Sequence, residues 1–351
     1  MYSKTDSDSD SDYFDCLPDA LLLLIFNKLQ DSKSLTKCLL VSKRFSSLVP
    51  LTNTIFISIP PLSKPNPVSF LRLLLHNLFL KPLKCFNQIM APNPATTMSF
   101  DTSYCQPNGV LKNFKEISSL HLELPSHGSS NSGASFLKWK AEFGTNLKTC
   151  IILGATSFQK SNKFSSSLQQ KVEECREQIL TDDELKLRVI WTISCLIAAS
   201  TRHYLFKQIL ADHSIPMVQK VEISDANKQG KFYMGKEGLV EMKNSMNSEQ
   251  ERLVESSSEE AAAMVRTPIP ELSMKLWYLP KLELPESGYE MTGATLVLIK
   301  PVDGMVDQKR NINGDLMVGS WDFEGDCKEF SEAVREMIKV KKSYLMTMSS
   351  F

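Results

Sequence analysis

Few residues in this chain are placed to do chemistry. Gly230-Lys231-Phe232-Tyr233-Met234-Gly235-Lys236 has the outline of a phosphate-binding loop. Such a loop needs small residues between its glycines, so that backbone N–H groups can wrap phosphate, and a Ser or Thr after the lysine to hold magnesium. Here the interior is bulky and Glu237 follows, so the stretch reads as a strand or hairpin edge. His121 and Glu123 have the spacing of a zinc-deaminase fragment, but no Pro-Cys-x-x-Cys follows them. On an alternating apolar strand they are the outward face. His203 and His213 follow the register of a long helix, with no Cys or acid at metal-ligand spacing. Cys38 and Cys195 sit in apolar helical settings, which suit packing better than nucleophilic attack. Gly-x-Ser-x-Gly is absent. No catalytic residue, metal ligand or cofactor site is assigned.

The composition narrows the field further. The 351 residues hold 40 Lys and Arg against 40 Asp and Glu. A neutral chain has no general electrostatic reason to seek nucleic acid or a membrane surface. Eight cysteines are scattered with no C-x-x-C pair, and neither a glycosylation sequon nor a signal peptide is evident. Those features suit free thiols in a reducing compartment. The longest apolar run, residues 189–199 between Arg188 and Arg202, is too short for a membrane span and reads as a buried core helix.

What the chain does offer is surplus apolar surface near its start. Residues 1–12 are acidic and low in complexity (SDSDSDSD) and are expected to be disordered. Then comes DCLPDALLLLIFNKLQDSKSLTKCLLVSKRFSSLVP, residues 15–50. Pro18 suits the first turn of a helix over Asp19–Leu29. Leu21, Leu22, Leu24, Ile25 and Leu29 take one broad side of it, while Ala20, Leu23 and Phe26 fill the rest. Asp31 or Ser32 can cap a second helix carrying Leu35, Cys38 and Leu39, and Ser42 a third carrying Phe45, Leu48 and Val49. A helix apolar all round must be buried all round. Two short neighbours cannot supply that, and exposed apolar surface marks a protein interface.

Leu17-Pro18-Asp19, the aliphatic helix, Cys38, and Val41-Ser42-Lys43-Arg44-Phe45 with Leu48 together resemble an F-box. The resemblance implies an F-box over residues 13–56 that docks on a Skp-type adaptor and, through it, on a cullin–RING ubiquitin ligase. It implies that Leu17, Pro18, Leu21, Leu24, Ile25, Leu35 and Val41 contact the adaptor or shape the surface that does. The family more often has Trp where Phe45 stands. Leu137–Gly144 (LKWKAEFG), Leu147–Ala155 (LKTCIILGA), Leu276–Pro280 (LWYLP) and Thr295–Ile299 (TLVLI) narrow the resemblance to the plant family of auxin up-regulated F-box proteins. That likeness suggests a non-catalytic substrate receptor in the nucleus and/or cytoplasm, with a link to auxin response. An adaptor-binding scaffold without a degradation role, and an enzyme with a cryptic site, stay open as alternatives.

The remainder reads as follows. Residues 57–115 are a helical linker and a long loop, with an apolar helix near residues 67–82 and the loop over residues 91–109. Residues 116–351 form an α/β domain for substrate recognition. Four segments share an apolar pattern: Ile117/Leu120/Leu122, Leu147/Cys150/Ile152, Val218/Val221/Ile223 and Leu279/Leu282/Leu284. It is the pattern of leucine-rich-repeat strands, but at irregular separations. The fold class is therefore α+β, a three-helix F-box followed by an irregular domain that is either leucine-rich-repeat-like or an ordinary α+β arrangement. Thr181 and Glu184 form a capping box for a helix over residues 183–210. Polar breaks fall at residues 126–133 and 161–167, and a flexible insertion at about 244–270. Residues 327–342 hold a final helix.

Overall fold

The computed structural model describes residues 13–14, 16–59, 107–125, 135–161, 181–212, 218–255, 271–302 and 327–348. The expected acidic tail, the helix near residues 67–82, most of the 91–109 loop and the break at 126–133 lie outside these residues, as does His213. The chain begins with α1 (Asp19–Leu29), α2 (Ser32–Cys38) and α3 (Lys43–Leu48), closed by a 3-10 turn over Val49–Leu51. The caps are local. Asp31 accepts from the Ser34 N–H at 2.9 Å, and the Ser42 hydroxyl accepts from the Phe45 N–H at 3.1 Å. Gln30, at φ 54°, turns the chain out of α1.

Strand β1 (Thr54–Ser58) carries the chain directly from the helices into a sheet. The apolar residues Ile55, Phe56 and Ile57 form this strand, and the F-box boundary expected at residue 56 lies within it. After α4 (Pro107–Leu111), which begins within the expected 91–109 loop, come β2 (Ser119–Leu124), β3 (Phe136–Phe143), β4 (Leu147–Ala155) and β5 (Ser157–Lys160). Helix α5 (Asp182–Asp212) precedes β6 (Lys220–Asp225) and β7 (Gly230–Met234). Then follow α6 (Lys236–Glu255), β8 (Leu272–Leu284), β9 (Tyr289–Pro301), α7 (Lys328–Ile338) and β10 (Tyr344–Met348).

These strands make one mixed ten-stranded sheet in the order β1-β2-β6-β7-β3-β4-β9-β8-β10, with β5 paired to β9 off that path. The class is α+β. The four repeat-like segments do lie on β2, β4, β6 and β8, but only β2 and β6 are neighbours. The parallel run β1-β2-β6 gives way to antiparallel pairs from β3 through β10, apart from the parallel pair β3-β7. A repeat stacks identical parallel strands side by side, so this domain is an ordinary mixed sheet and not a solenoid.

Alternation along the strands builds two cores. One face buries Ile55, Leu120, Val221, Phe232, Trp139 and Ile152 together with Cys195, Ala199 and Phe206 of α5. Leu22, Phe26 and Leu35 of the N-terminal helices belong to that same core. On the other face, Trp277, Leu296 and Leu298 pack beneath Phe330, Val334 and Met337 of α7. The capping box at the start of α5 forms: the Thr181 N–H donates to Glu184 Oε2 at 3.1 Å, and the Glu184 N–H to the Thr181 hydroxyl at 3.4 Å.

Two expectations need correction. The apolar run on α5 is not buried on all sides. Cys195, Leu196 and Ala199 are buried, while Ile190 is 59% exposed among the described residues. The stretch expected as a flexible insertion from residue 244 is helical as far as Glu255, because Leu239, Met242 and Met246 extend an inward stripe into it. Residues 256–270 lie outside the described residues.

Candidate functional site

Helix α1 resolves its own surplus by dividing it. Leu22 and Phe26 turn inward and are buried, while Leu21, Leu24 and Ile25 point outward at 46%, 58% and 45% exposure. At about 100° per residue, these three share one face and Leu22 and Phe26 the adjoining one. Val41 and its neighbour Leu40, between α2 and α3, are also exposed. Pro18 is exposed and Leu17 half-buried. Leu35 differs from the rest of the expected contact set. It has no exposed surface, so it shapes that surface from behind by holding α2 against the core.

Arg44 ties the start of this unit to its end. Its Nε donates to Asp19 Oδ1 at 2.8 Å and its Nη1 to the Phe14 carbonyl at 3.0 Å, while Nη2 donates to the Leu17 carbonyl. One guanidinium thus fixes the chain on both sides of Pro18, using its planar fork as an ammonium could not. Arg44 stands in the Val41–Phe45 motif, but nothing near it in sequence signals this task. Phe45 fills the place beneath, edge-on to Phe26 and to Phe14.

The helices are also bolted to the sheet. The Asn27 side-chain oxygen accepts from the Asn53 N–H at 2.8 Å, and the Gln30 carbonyl accepts from the Phe56 N–H at 2.8 Å. The Asn53 carbonyl in turn accepts from the Ser118 N–H at 2.8 Å, ahead of β2.

A second feature lies on the sheet face that α7 partly covers. A cleft of about 500 Å³ opens beside the amino end of α7, lined among others by Lys138 and Lys140 of β3, Lys228 of the β6–β7 turn, Lys231 of β7 and Glu222 of β6. Lys231 pairs with Glu222 at 3.1 Å, and Lys138 Nζ lies 2.9 Å from Cys327 Sγ. Beneath it, Gly230 sits against Trp139, where a Cβ would come within 2.3 Å of the indole. Asp225 braces the turn by accepting from the Gly230 N–H at 3.1 Å, and is itself paired with Arg202. Sequence reading missed this cleft; the only local hint was the alternation Lys138-x-Lys140.

The suspected chemical motifs come to rest as structure. Residues 230–234 are a paired sheet strand with no phosphate-binding turn. His121 faces Glu222 at 3.9 Å, and burial pulls its pKa below the ordinary value although Glu222 works the other way. His203 stacks on Phe143 and donates from Nε2 to the Gly144 carbonyl at 3.1 Å. Cys195 is buried and its thiol is pushed up to about 12, mainly by that burial. It is a packing residue and no nucleophile. Among the described residues no group of His, Cys, Asp and Glu is placed to hold a metal ion, and no helix is long and apolar enough to cross a membrane.

The site is thus three short helices, one of them apolar and divided between core and water, set at the head of a mixed sheet. The F-box-like family matches residues 14–57. Along nearly its whole length the chain is similar to the F-box protein At1g30200 of Arabidopsis thaliana, 34% identical with 97% of this chain and 94% of that one covered. It is also similar to the Arabidopsis F-box proteins AUF2 and AUF1, 32% and 30% identical, with 97% of this chain and all of each relative covered. The chain belongs to the F-box protein family, with auxin up-regulated F-box proteins among its relatives. No solved structure matches it. Family membership implies a receptor role in a Skp-cullin-F-box ligase, with a Skp-type adaptor as partner. F-box proteins are in general non-catalytic subunits of such ligases.

Proposed function

We propose that this chain is the substrate-receptor subunit of a Skp-cullin-F-box E3 ubiquitin ligase, gripping the adaptor through α1 and the α2–α3 corner. The mixed sheet then holds a target protein. The observation that carries the reading is the split of α1, in which Leu21, Leu24 and Ile25 stay in water while Leu22 and Phe26 complete the core. Each such side chain moved from water into an interface contributes about 1.5–3 kcal/mol before the costs of association. The chain supplies no reacting group. It raises the effective concentration of a target lysine near the loaded ubiquitin-transfer enzyme. On this reading it works in the nucleus and/or cytoplasm. The names of the relatives AUF1 and AUF2 support a place in auxin response.

The test is capture of a purified Skp-type adaptor. Leu24→Asp and Ile25→Asp should each weaken capture by about ten-fold or more and leave the melting temperature unchanged. Leu22→Asp should unfold the helices. Full capture by the Leu24→Asp/Ile25→Asp double variant would remove the basis of the proposal.

A further inference from the structure

Helix α5 gives one side to the core and keeps another in water. Inward, Cys195, Ala199 and Phe206 pack on the sheet. Outward, Ile190 is 59% exposed, Ile193 39% and Tyr204 56%, with Ser200 also exposed and Ile197 half-buried. Their spacing is the informative part. Lys186, Ile190, Ile193, Ile197, Ser200 and Tyr204 follow one another at alternating steps of four and three residues. Asp183 before them and Lys207 after them continue the same steps, so the run covers most of the 31-residue helix. An apolar seam with that spacing, sustained over several heptads on the solvent side, is the pattern of a helix that winds about another helix.

We infer that α5 is a dimerisation helix, pairing antiparallel with α5 of a second copy of this chain. This goes beyond the receptor reading and does not depend on it. The seam selects its occupant because it fits itself. With the twofold axis level with Cys195, Ile193 meets the partner's Ile197, and Ile190 meets the partner's Ser200, large against small. Lys186 comes against the partner's Tyr204, whose ring face attracts a cation. Asp183, which holds Lys186 of its own helix at 3.1 Å, stands level with the partner's Lys207, of opposite sign. A parallel pair would instead set Asp183 against Asp183 and Lys186 against Lys186. An isologous contact of this kind closes on itself and stops at two copies. The strip is roughly 35 Å long and 10 Å wide, from a helix's rise and width. A symmetric pair then buries about 1,000 Å², the lower bound for a specific interface. The dimer is accordingly weak, with a Kd on the order of 10 µM.

Sedimentation equilibrium of the full chain tests this, and should show reversible exchange between monomer and dimer. Ile193→Asp/Ile197→Asp should weaken the dimer by about a hundred-fold, with an unchanged melting curve. If the paired aspartates unfold the chain, Ser200→Arg carries the test. It makes an exposed small position large and charged, and should lower dimer affinity by about ten-fold in a folded chain. Chains bearing Ile193→Cys, mixed with chains bearing Ile197→Cys, should cross-link through those two positions on mild oxidation, as read by peptide mapping, and more readily than either variant does with itself. A chain that stays monomeric well above the expected Kd would overturn the inference. So would a dimer that both sets of substitutions leave intact, or cross-links favouring like positions over the mixed pair. Cross-linking of Ile197→Cys chiefly within its own chain would make a segment of this chain the occupant. Saturable binding of a designed amphipathic helical peptide by a monomeric chain would make the seam a target-docking face. Either result overturns the dimer.

Discussion

Phe45 meets Phe26 edge-on, with ring centroids 5.2 Å apart and the planes at 78°. Phe26 is buried and Phe45 half-buried, so this pair joins α3 to the inward face of α1. Edge-to-face contact adds to the area that each ring hides from water. Phe45→Ala should cost about 2 kcal/mol, less than a fully buried ring because part of Phe45 is already wet. Urea denaturation measures this, and adaptor capture should fall in step with the loss of folded α3. A variant with unchanged stability would mean that the pair is incidental.

Glu332 is a buried carboxylate with a defined task. It accepts from the Glu286 and Ser287 N–H groups at 2.7 and 2.9 Å, pinning α7 to the turn between β8 and β9. Glu332→Ala leaves two backbone donors without their acceptor and should cost roughly 2 kcal/mol. Hydrogen exchange should show it first, as faster exchange at Glu286 and Ser287. Unaltered protection there would rule the pin out.

Arg202 of α5 and Asp225 at the end of β6 form an ion pair, with the guanidinium 4.7 Å from the Trp139 ring centre. The side chains are only 8% and 16% exposed. Removing one partner strands the other, so Arg202→Ala should destabilise by about 3 kcal/mol. Arg202→Ala/Asp225→Asn should recover part of that loss in a double-mutant cycle. Additive single and double effects would show that the two groups do not interact.

Acid should loosen the fold through two histidines. Burial pulls His203 below its ordinary pKa, the Gly144 carbonyl opposing it in part, and burial does the same to His121 against the opposing effect of Glu222. Unfolded imidazole takes its proton near pH 6.5. The unfolded chain therefore binds protons before the folded one, and stability falls as pH drops below about 6.5. The decline levels off once the folded imidazoles protonate as well. Denaturation midpoints across this range should show the slope, and His203→Phe should flatten it. An unchanged slope in that variant would assign the pH dependence elsewhere.

Much of the N-terminal unit is legible from local chemistry. Pro18, Asp31, Ser42 and the Thr181/Glu184 box act within a few residues of themselves, and the structure uses each as a helix start. The inward side of α1 is not legible in this way, since Leu21, Leu22 and Leu24 are chemically identical. What selects Leu22 is the position of β1 and the sheet behind it, a contact made across many residues. The repeat-like segments show the same limit. Each is a strand, but which strands become neighbours depends on pairings such as β4 with β9, more than a hundred residues apart. Helix α6 runs into SEQERLVE because inward Leu239, Met242 and Met246 outweigh the polar residues that look like a break. The lysine cleft draws on three separate stretches, so no single window of sequence contains it.

The bonds from Asn27 to Asn53 and from Gln30 to Phe56 leave no hinge between the helices and the sheet, which also share one apolar core. For a receptor of the kind proposed, that makes the helices and the sheet one stiff lever. A target seated on the sheet cannot swing on a tether and sample many positions; its distance and bearing from the adaptor are set by packing. The zone in which a lysine can be reached is then narrow, and the choice among a target's lysines is made by where on the sheet it sits.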